Sequence, residues 1–252
     1  MSETLKHDDE SIKPELRGPN AEHLAEGFRP IMACVGTREE YGKEIAELTN
    51  LESVGHNVDF YSNPKELDKK NFKNAGSQTY VISSTDGEPK LTKRLYNCTS
   101  LTAVGRKIDS ETELSFLTHQ DPYEFHNVKK DSFVSHLKER LQELKSKCSE
   151  GSIDIVITGG WFNEKYPDQY QESLKILSSV VKEELGFEPQ VICGPKNLAG
   201  DDVYFDTQKR RLYVVRPDDE ILHNEVFKPS KIDEMKEKWR KEQKEREEQK
   251  QK

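Results

Sequence analysis

Long runs of apolar residues are absent from this chain of 252 residues. No window of about 18 consecutive apolar side chains occurs, so the sequence predicts no transmembrane helix. The first twenty residues, MSETLKHDDESIKPELRGPN, are polar and acidic, and they lack the apolar core of a secretory signal peptide. These absences predict a cytoplasmic protein that has no membrane partner.

Cysteine is scarce, and no Cys-x-x-Cys pair occurs among Cys34, Cys98, Cys148 and Cys193. Because an export signal is not apparent, reduced thiols are expected rather than disulfides. No two candidate Cys or His ligands have the spacing of a zinc site, and no metal is expected. We interpret Cys34, Cys148 and Cys193 as structural or surface residues, together with His126 and His136.

An excess of basic residues is missing as well. The net charge is −8, which argues against a nucleic-acid partner. Charged residues make up 34% of the chain and are concentrated at its two ends. We therefore expect a disordered N-terminal tail over residues 1–27, a single catalytic α/β domain over 28–227, and a charged helical or disordered C-terminal tail over 228–252.

Strand patterns and helix patterns follow one another between the tails. Amphipathic periodicity predicts helices in DSFVSHLKERLQELKSK and DQYQESLKILSSVVKEELG, and a shorter helix in TREEYGKEIAELTNLESV. Strands are predicted in FRPIMACVGT, on both sides of TDGEP, in CTSLTAV, ELSFLTH, SIDIVITGGWF and PQVICGP, and in a hairpin that turns at TQKR. This order predicts an α/β (α+β) domain with layered sheets of mixed, largely antiparallel strands, flanked by helices.

One cysteine and one histidine flank a predicted hairpin. The polar residues GRKIDSET separate CTSLTAV from ELSFLTH. A turn centred between Ile108 and Asp109 sets Cys98 directly opposite His119. Directly opposed side chains in an antiparallel pair have Cβ atoms about 4.5–5.5 Å apart, which lets a thiol and an imidazole share a proton.

A Cys/His pair supports nucleophilic attack on an acyl carbon, because the imidazole favours the thiolate and later protonates the leaving amine. A third group is needed to orient the ring. Thr92 is the candidate, since it lies six residues before Cys98 and shares its face on a continuous strand. The backbone N–H of Cys98 and the side-chain amide of Asn97 are candidates for an oxyanion hole. The alternative is that Cys98 and His119 are ordinary structural residues.

The order of these motifs resembles a known group. TKRLYNC, a strand ending in LTH, a helix and then ITGG resemble the Cys/His deamidases. That group comprises bacterial chemoreceptor glutamine deamidases, the catalytic domains of cytotoxic necrotizing factor toxins, and protein N-terminal asparagine amidohydrolases. FLTHQDP and DIVITGGWF most resemble the last of these, and LAGDDVYFDTQKRRLYV is similar to the terminal hairpin of the first. The resemblance covers roughly residues 77–215. KRLYN replaces the glycine-rich lead-in of the chemoreceptor enzymes.

The resemblance implies a deamidase-like sandwich in which Cys98 is the nucleophile, His119 the general base and Thr92 the residue that orients the ring. The implied reaction is deamidation of a protein or peptide with an accessible Asn or Gln, most favourably an N-terminal Asn to Asp, without any cofactor. Gly159 and Gly160 end a predicted central strand, where a substrate backbone can approach, or they form an ordinary tight turn. Two alternatives stay open. One is deamidation of an internal Gln in a partner protein. The other is a non-catalytic interaction module that binds a partner through its charged C-terminal tail.

Overall fold

A computed structural model describes residues 21–51, 54, 80–95, 98–120, 130–159, 167–192 and 200–216. Residues 1–20 and 217–252, which contain most of the two predicted tails, lie outside the described residues. The strands are β1 Met32–Thr37, β2 Tyr80–Ile82, β3 Lys90–Leu95, β4 Thr99–Arg106, β5 Glu113–Gln120, β6 Asp154–Gly159, β7 Gln190–Ile192, β8 Asp201–Asp206 and β9 Arg211–Arg216. The α-helices are α1 Arg38–Tyr41, α2 Lys130–Lys147 and α3 Pro167–Leu185.

The strands form two sheets. The first sheet has the order β1-β9-β8-β3, and the second sheet has the order β2-β5-β4-β6-β7. The β1/β9 and β6/β7 pairs are parallel, whereas the other pairs are antiparallel. The predicted fold class, an α/β layered sandwich of mixed and largely antiparallel strands, is confirmed.

Three apolar layers hold the sandwich together. Because side chains alternate along a strand, β4 directs Leu101 and Ala103 towards the helices and Val104 towards the first sheet. The core between the sheets combines Val104 with Val203 and Leu212 of the first sheet, among others. Each fully buried aliphatic side chain of this kind stabilises the fold by about 1.5–3 kcal/mol.

Helices α2 and α3 cover the outer face of the second sheet. Their predicted apolar faces are confirmed at four fully buried leucines, Leu137, Leu141, Leu144 and Leu177. Val134 is half-buried, and its neighbour Phe133 is fully buried in its place. Helix α3 ends before Gly186, whose φ of +84° is the left-handed conformation that favours glycine at a helix end.

A short segment covers the outer face of the first sheet. Thr37 caps α1 by accepting a hydrogen bond from the Glu40 backbone, while the Glu40 carboxylate accepts one from Thr37 N–H. The helix ends at Tyr41 and is therefore shorter than the predicted one. The predicted apolar residues Tyr41, Ile45 and Leu48 are nevertheless all buried against this sheet.

The C-terminal hairpin has the predicted turn. Strands β8 and β9 pair antiparallel up to Asp206 and Arg211, and residues 207–210 form the turn. Arg210 adopts a φ of +52°, and its buried guanidinium donates hydrogen bonds to the Glu113 carboxylate and the Ser152 carbonyl. The turn of one sheet is thereby fastened to the other sheet.

The folded unit begins earlier than predicted. Residues Ala21–His23 form a 3-10 helix, and the His23 ring stacks on Phe187 with the ring centroids 3.7 Å apart. The Ala25 N–H donates to the Gly151 carbonyl at 2.9 Å. The segment AEHLAEG makes only a few contacts and has no apolar periodicity. Its composition therefore predicts disorder. Residues 21–27, which the composition assigns to a disordered tail, are nevertheless in contact with the folded domain.

Candidate active site

Strand ends from both sheets meet at one end of the sandwich, where the candidate site lies. In the second sheet, Thr99 at the start of β4 pairs with Gln120 at the end of β5 and with Gly159 at the end of β6. In the first sheet, Leu95 at the end of β3 pairs with Asp201 at the start of β8. Because β4 follows β3 after three residues, both sets of strand ends lie at the same end of the sandwich.

Thr92 and Cys98 do not share a strand, so this part of the sequence prediction is wrong. Strand β3 ends at Leu95 in the first sheet, and β4 begins at Thr99 in the second. The segment KLTKRLYNC reads as one strand because its residues favour β-structure. However, a register irregularity between Thr92 and Leu95 distorts the pairing with β8 at the end of β3. The chain then crosses to the other sheet, which places Thr92 on the far side of the gap from Cys98.

The predicted register of the β4/β5 hairpin is wrong by two residues. Ala103 pairs with Phe116, so the turn is centred between Asp109 and Ser110 and not one residue earlier. Asp109 occupies the tip with a φ of +55°, a conformation that Asp tolerates in turns. His119 is consequently opposite Ser100, and not opposite Cys98.

A shift of two residues leaves every side chain on its original face. Cys98 belongs to the core between the sheets together with Leu117, which is two residues before His119 on β5. Cys98 and His119 are therefore on the same face as diagonal neighbours, a relation that corresponds to a Cα separation of about 7–8 Å in a regular ladder. The His119 side chain is of a length that reaches across such a diagonal.

Thr92 contacts the His119 ring across the gap between the sheets. Its Oγ1 lies 2.7 Å from His119 Nδ1 and 2.7 Å from the backbone carbonyl oxygen of Val54. A hydroxyl has one proton and a carbonyl oxygen only accepts, so Thr92 donates to Val54. The Thr92 oxygen then accepts a hydrogen bond from Nδ1–H of His119. This contact is the one that the sequence analysis expects of a residue that orients the ring.

The chain of hydrogen bonds fixes the tautomer of His119. With Nδ1 protonated, the lone pair of the neutral ring is on Nε2, the nitrogen farther from the backbone. Val54 is itself held in place, because its N–H donates to the Leu91 carbonyl at 2.7 Å. Thr92 is fully buried, whereas His119 is 6% and Cys98 9% exposed. Burial of this kind strengthens the hydrogen bonds that orient the ring.

Small polar side chains lie beside His119 on both faces of the second sheet, with Ser100 on the face towards the gap and Thr118 on the face towards the helices. The Ser100 hydroxyl donates to the Thr118 carbonyl at 2.6 Å, and the Leu101 N–H donates to Thr118 Oγ1 at 2.8 Å. Side-chain hydroxyls thus take part in the hydrogen bonds between β4 and β5 at this point. On the other side of Ser100 lies Thr158, whose buried hydroxyl has no hydrogen-bond partner in the described structure.

The remaining predicted site residues fall partly outside the described residues. Gly159 is buried at the end of β6 and pairs with Thr99, next to Cys98. Asn97 and Gly160 lie outside the described residues. The structure therefore brings Thr92, Cys98, His119 and Gly159 to one end of the sandwich.

Two features of this end have no clear signal in the sequence. Val54 acts through its backbone carbonyl, a group that every residue carries. Asp201 appears in the sequence as one of three acidic residues in a strand, yet it is fully buried. Burial raises the pKa of Asp201 to about 7, although the nearby Arg216 guanidinium opposes the increase.

The other described cysteines and histidines lie elsewhere. Cys34 and Cys148 are buried, and no disulfide joins any of the three described cysteines. Burial and the nearby Glu113 carboxylate raise the pKa of Cys148 to about 12. The His136 ring forms a 2.8 Å hydrogen bond with the Tyr80 hydroxyl beneath α2, which agrees with a structural role.

Neither a metal cluster nor a membrane span is found in the described part of the chain. No group of three or more His, Cys, Asp or Glu side chains there is placed to hold a metal ion. None of the described helices combines the length and the apolar character needed to cross a bilayer. No protein-family model matches this sequence, and no curated protein matches it. The geometry of the site is therefore the basis for a functional assignment.

Proposed function

We propose that this protein is a cysteine-dependent amidohydrolase that deamidates a side-chain carboxamide of a protein or peptide, with an N-terminal Asn as the favoured substrate. The observation that carries the proposal is the chain of hydrogen bonds from His119 Nδ1–H through Thr92 to the Val54 carbonyl. In the neutral ring it places the lone pair on Nε2, and His119 lies on the same sheet face as the buried thiol of Cys98. The proposed setting is the cytoplasm, where thiols stay reduced.

Each residue has a definite role in the proposed reaction. His119 Nε2 takes the proton of the Cys98 thiol, and the thiolate attacks the carboxamide carbon. The Nε2–H then protonates the amide nitrogen, the C–N bond breaks, and ammonia leaves behind a thioester. Nε2 next removes a proton from water, the hydroxide attacks the thioester, and the carboxylate is released as the thiol is restored. The sum is Asn and water to Asp and ammonia, with no cofactor.

The negative charge that develops on the carboxamide oxygen needs donors close to Cys98. The proposed donors are the Cys98 N–H and the Asn97 amide, as in oxyanion holes of other acyl-transfer enzymes. Gly159 and Gly160 are proposed to leave room for the substrate backbone, because neither has a side chain. The charged segment 228–252 is a proposed contact for a protein substrate.

The test is ammonia release from three peptides that carry an N-terminal Asn, an N-terminal Gln or an internal Gln. We expect release from the N-terminal Asn peptide by the wild type and by Cys34→Ala, a control cysteine outside the site. Cys98→Ala and His119→Ala should be inactive. Release by Cys98→Ala would place the nucleophile elsewhere. Release from the internal Gln peptide alone would favour the alternative deamidase, and no release would favour a binding module.

A further inference from the structure

Three carboxylates are buried among the described residues, and in two of them both oxygens accept hydrogen bonds. Glu113 accepts hydrogen bonds from Arg106 and Arg210. Asp154 accepts from the Ile31 and Ile155 backbones at 2.6 and 2.9 Å. Burial of a carboxylate is costly unless such donors replace water. These two residues show how the fold normally meets that requirement.

Asp201 is the exception. It is fully buried, yet neither carboxylate oxygen has a hydrogen-bond partner in the described structure. Arg216 Nε lies 3.4 Å from Oδ1, which is within the range of an ion pair but without hydrogen-bond geometry. Apart from this ion pair with Arg216, the carboxylate oxygens of Asp201 have no donor in the described structure.

Asp201 faces the same gap as the Cys98 and His119 side chains. Thr92 pairs with Val203, and Asp201 lies two residues from Val203 on the same face of β8. Val203 belongs to the core between the sheets that also contains Cys98. Asp201 pairs with Leu95, beyond the register irregularity that follows Thr92, and so lies at the same end of the first sheet as Thr92. Its carboxylate lies on the first-sheet side of the gap, across from the nucleophile.

We propose that Asp201 determines the specificity of the site by binding the free α-ammonium group of an N-terminal Asn. This inference rests on the proposed function. In an N-terminal Asn the ammonium nitrogen is three bonds from the carboxamide carbon, so a group that holds the ammonium also fixes that carbon before Cys98. The ammonium has three N–H donors and a positive charge, and an opposite charge beside a buried carboxyl favours its ionised form, whose two oxygens both accept hydrogen bonds. An internal Asn or Gln offers only a neutral amide at this position.

The experiment compares the peptide Asn-Ala-Ala-Ala-Lys with its Nα-acetylated form. We expect the wild type to prefer the free amine in kcat/KM by about 10- to 100-fold, the range of a hydrogen bond between charged groups. Asp201→Asn should reduce this preference to below about threefold, through the loss of turnover on the free peptide alone. Asp201→Glu should retain part of it. Asp202→Asn is the matched control, because Asp202 is on the opposite face of the same strand, and it should keep the full preference.

Calorimetric binding of both peptides to Cys98→Ala separates the two proposals. Preferential binding of the free amine that is lost when Asp201→Asn is added supports the role of Asp201. Absence of ammonia release by the wild type would refute only the proposed amidohydrolase activity. Turnover of the acetylated peptide at the same rate as the free one overturns the inference and leaves the amidohydrolase intact. The inference is also overturned if Asp201→Asn keeps the preference, or if neither peptide binds. Thermal unfolding of each variant checks that it is folded.

Discussion

Thr92 Oγ1 and His119 Nδ1 are 2.7 Å apart although the two residues belong to different β-sheets. The contact spans the gap at the end of the sandwich and links the orientation of a ring on β5 to a strand of the opposite sheet. Because Thr92 gives its own proton to Val54, it accepts from the ring, and the lone pair of the neutral imidazole is then on Nε2. The proposed role of His119 as a base depends on this contact.

Replacement of Thr92 tests the relationship directly. Thr92→Ala should lower kcat by about 10- to 100-fold, or about 1.4–2.7 kcal/mol of transition-state stabilisation, because the ring loses its acceptor. Thr92→Ser keeps the hydroxyl and should retain most of the activity. In the wild type, ¹⁵N NMR of the imidazole should show the neutral ring with the proton on Nδ1. A ring that carries the proton on Nε2, or equal activity of both variants, would contradict the assignment.

Thiol reactivity provides a second prediction. At pH 7 iodoacetamide should modify Cys98 at least about tenfold faster than Cys148, because a nearby imidazole favours the thiolate whereas burial raises the pKa of Cys148 to about 12. Peptide mapping by mass spectrometry gives both rates in one sample. His119→Ala should slow the modification of Cys98 and leave that of Cys148 unchanged. Equal rates at the two cysteines in the wild type would show that Cys98 is an ordinary buried thiol.

The buried carboxylate predicts a pH dependence of stability. Burial raises the pKa of Asp201 to about 7, above its value in the unfolded chain, so the folded state holds the proton longer. The free energy of unfolding should therefore decrease as pH rises from about 4 to about 7, by at most about 4 kcal/mol from this residue. Asp201→Asn should lack this decrease and be more stable than the wild type at pH 8.

Urea unfolding at pH 4 and pH 8 measures this difference. The neighbouring charges are Arg216, which favours the ionised form, and Asp202, which opposes it. Asp202→Asn is the control and should keep the decrease between the two pH values. If Asp201→Asn and the wild type lose the same stability over this range, the carboxylate is ionised in the fold at low pH and the interpretation of Asp201 is wrong.

The N-terminal segment predicts a contrast between two truncations. Deletion of residues 1–20 should leave the melting temperature nearly unchanged. Deletion of residues 1–27 removes the stacking of His23 on Phe187 and the hydrogen bond from Ala25 to Gly151. Together these contribute about 2 kcal/mol, which corresponds to a decrease of about 4–8 °C for a domain of this size. Equal melting temperatures of the two truncations in differential scanning calorimetry would show that the segment adds no stability.

The sequence predicts much of the fold because hydrophobic patterns are local. The short apolar run in SIDIVITGG identifies a buried strand, and the spacing of Leu137, Leu141 and Leu144 identifies the buried face of a helix. The hairpin that turns at TQKR follows from its turn residues in the same way. None of these features depends on a partner that is distant in the chain.

The errors concern features that depend on distant partners. The crossing between sheets after Leu95 has no local marker, because a strand of either sheet has the same alternation. The β4/β5 register depends on which residue of the turn takes the left-handed conformation. That residue is Asp109. The face shared by Cys98 and His119 was nonetheless predictable, since side-chain orientation repeats every two residues. The burial of Asp201 was not predictable, because burial of a carboxylate has no signal in the sequence.

The most direct test of the proposed reaction is the mass of the protein during incubation with a peptide substrate. Wild-type protein mixed with Asn-Ala-Ala-Ala-Lys is quenched in acid within milliseconds and analysed by intact and peptide-mapped mass spectrometry. We predict a transient adduct on Cys98 with the mass of the peptide less ammonia, absent from Cys98→Ala and unchanged in Cys34→Ala. Conversion of the peptide to its Asp form without any adduct on Cys98, or with the adduct on another residue, would contradict the assignment of Cys98 as the nucleophile.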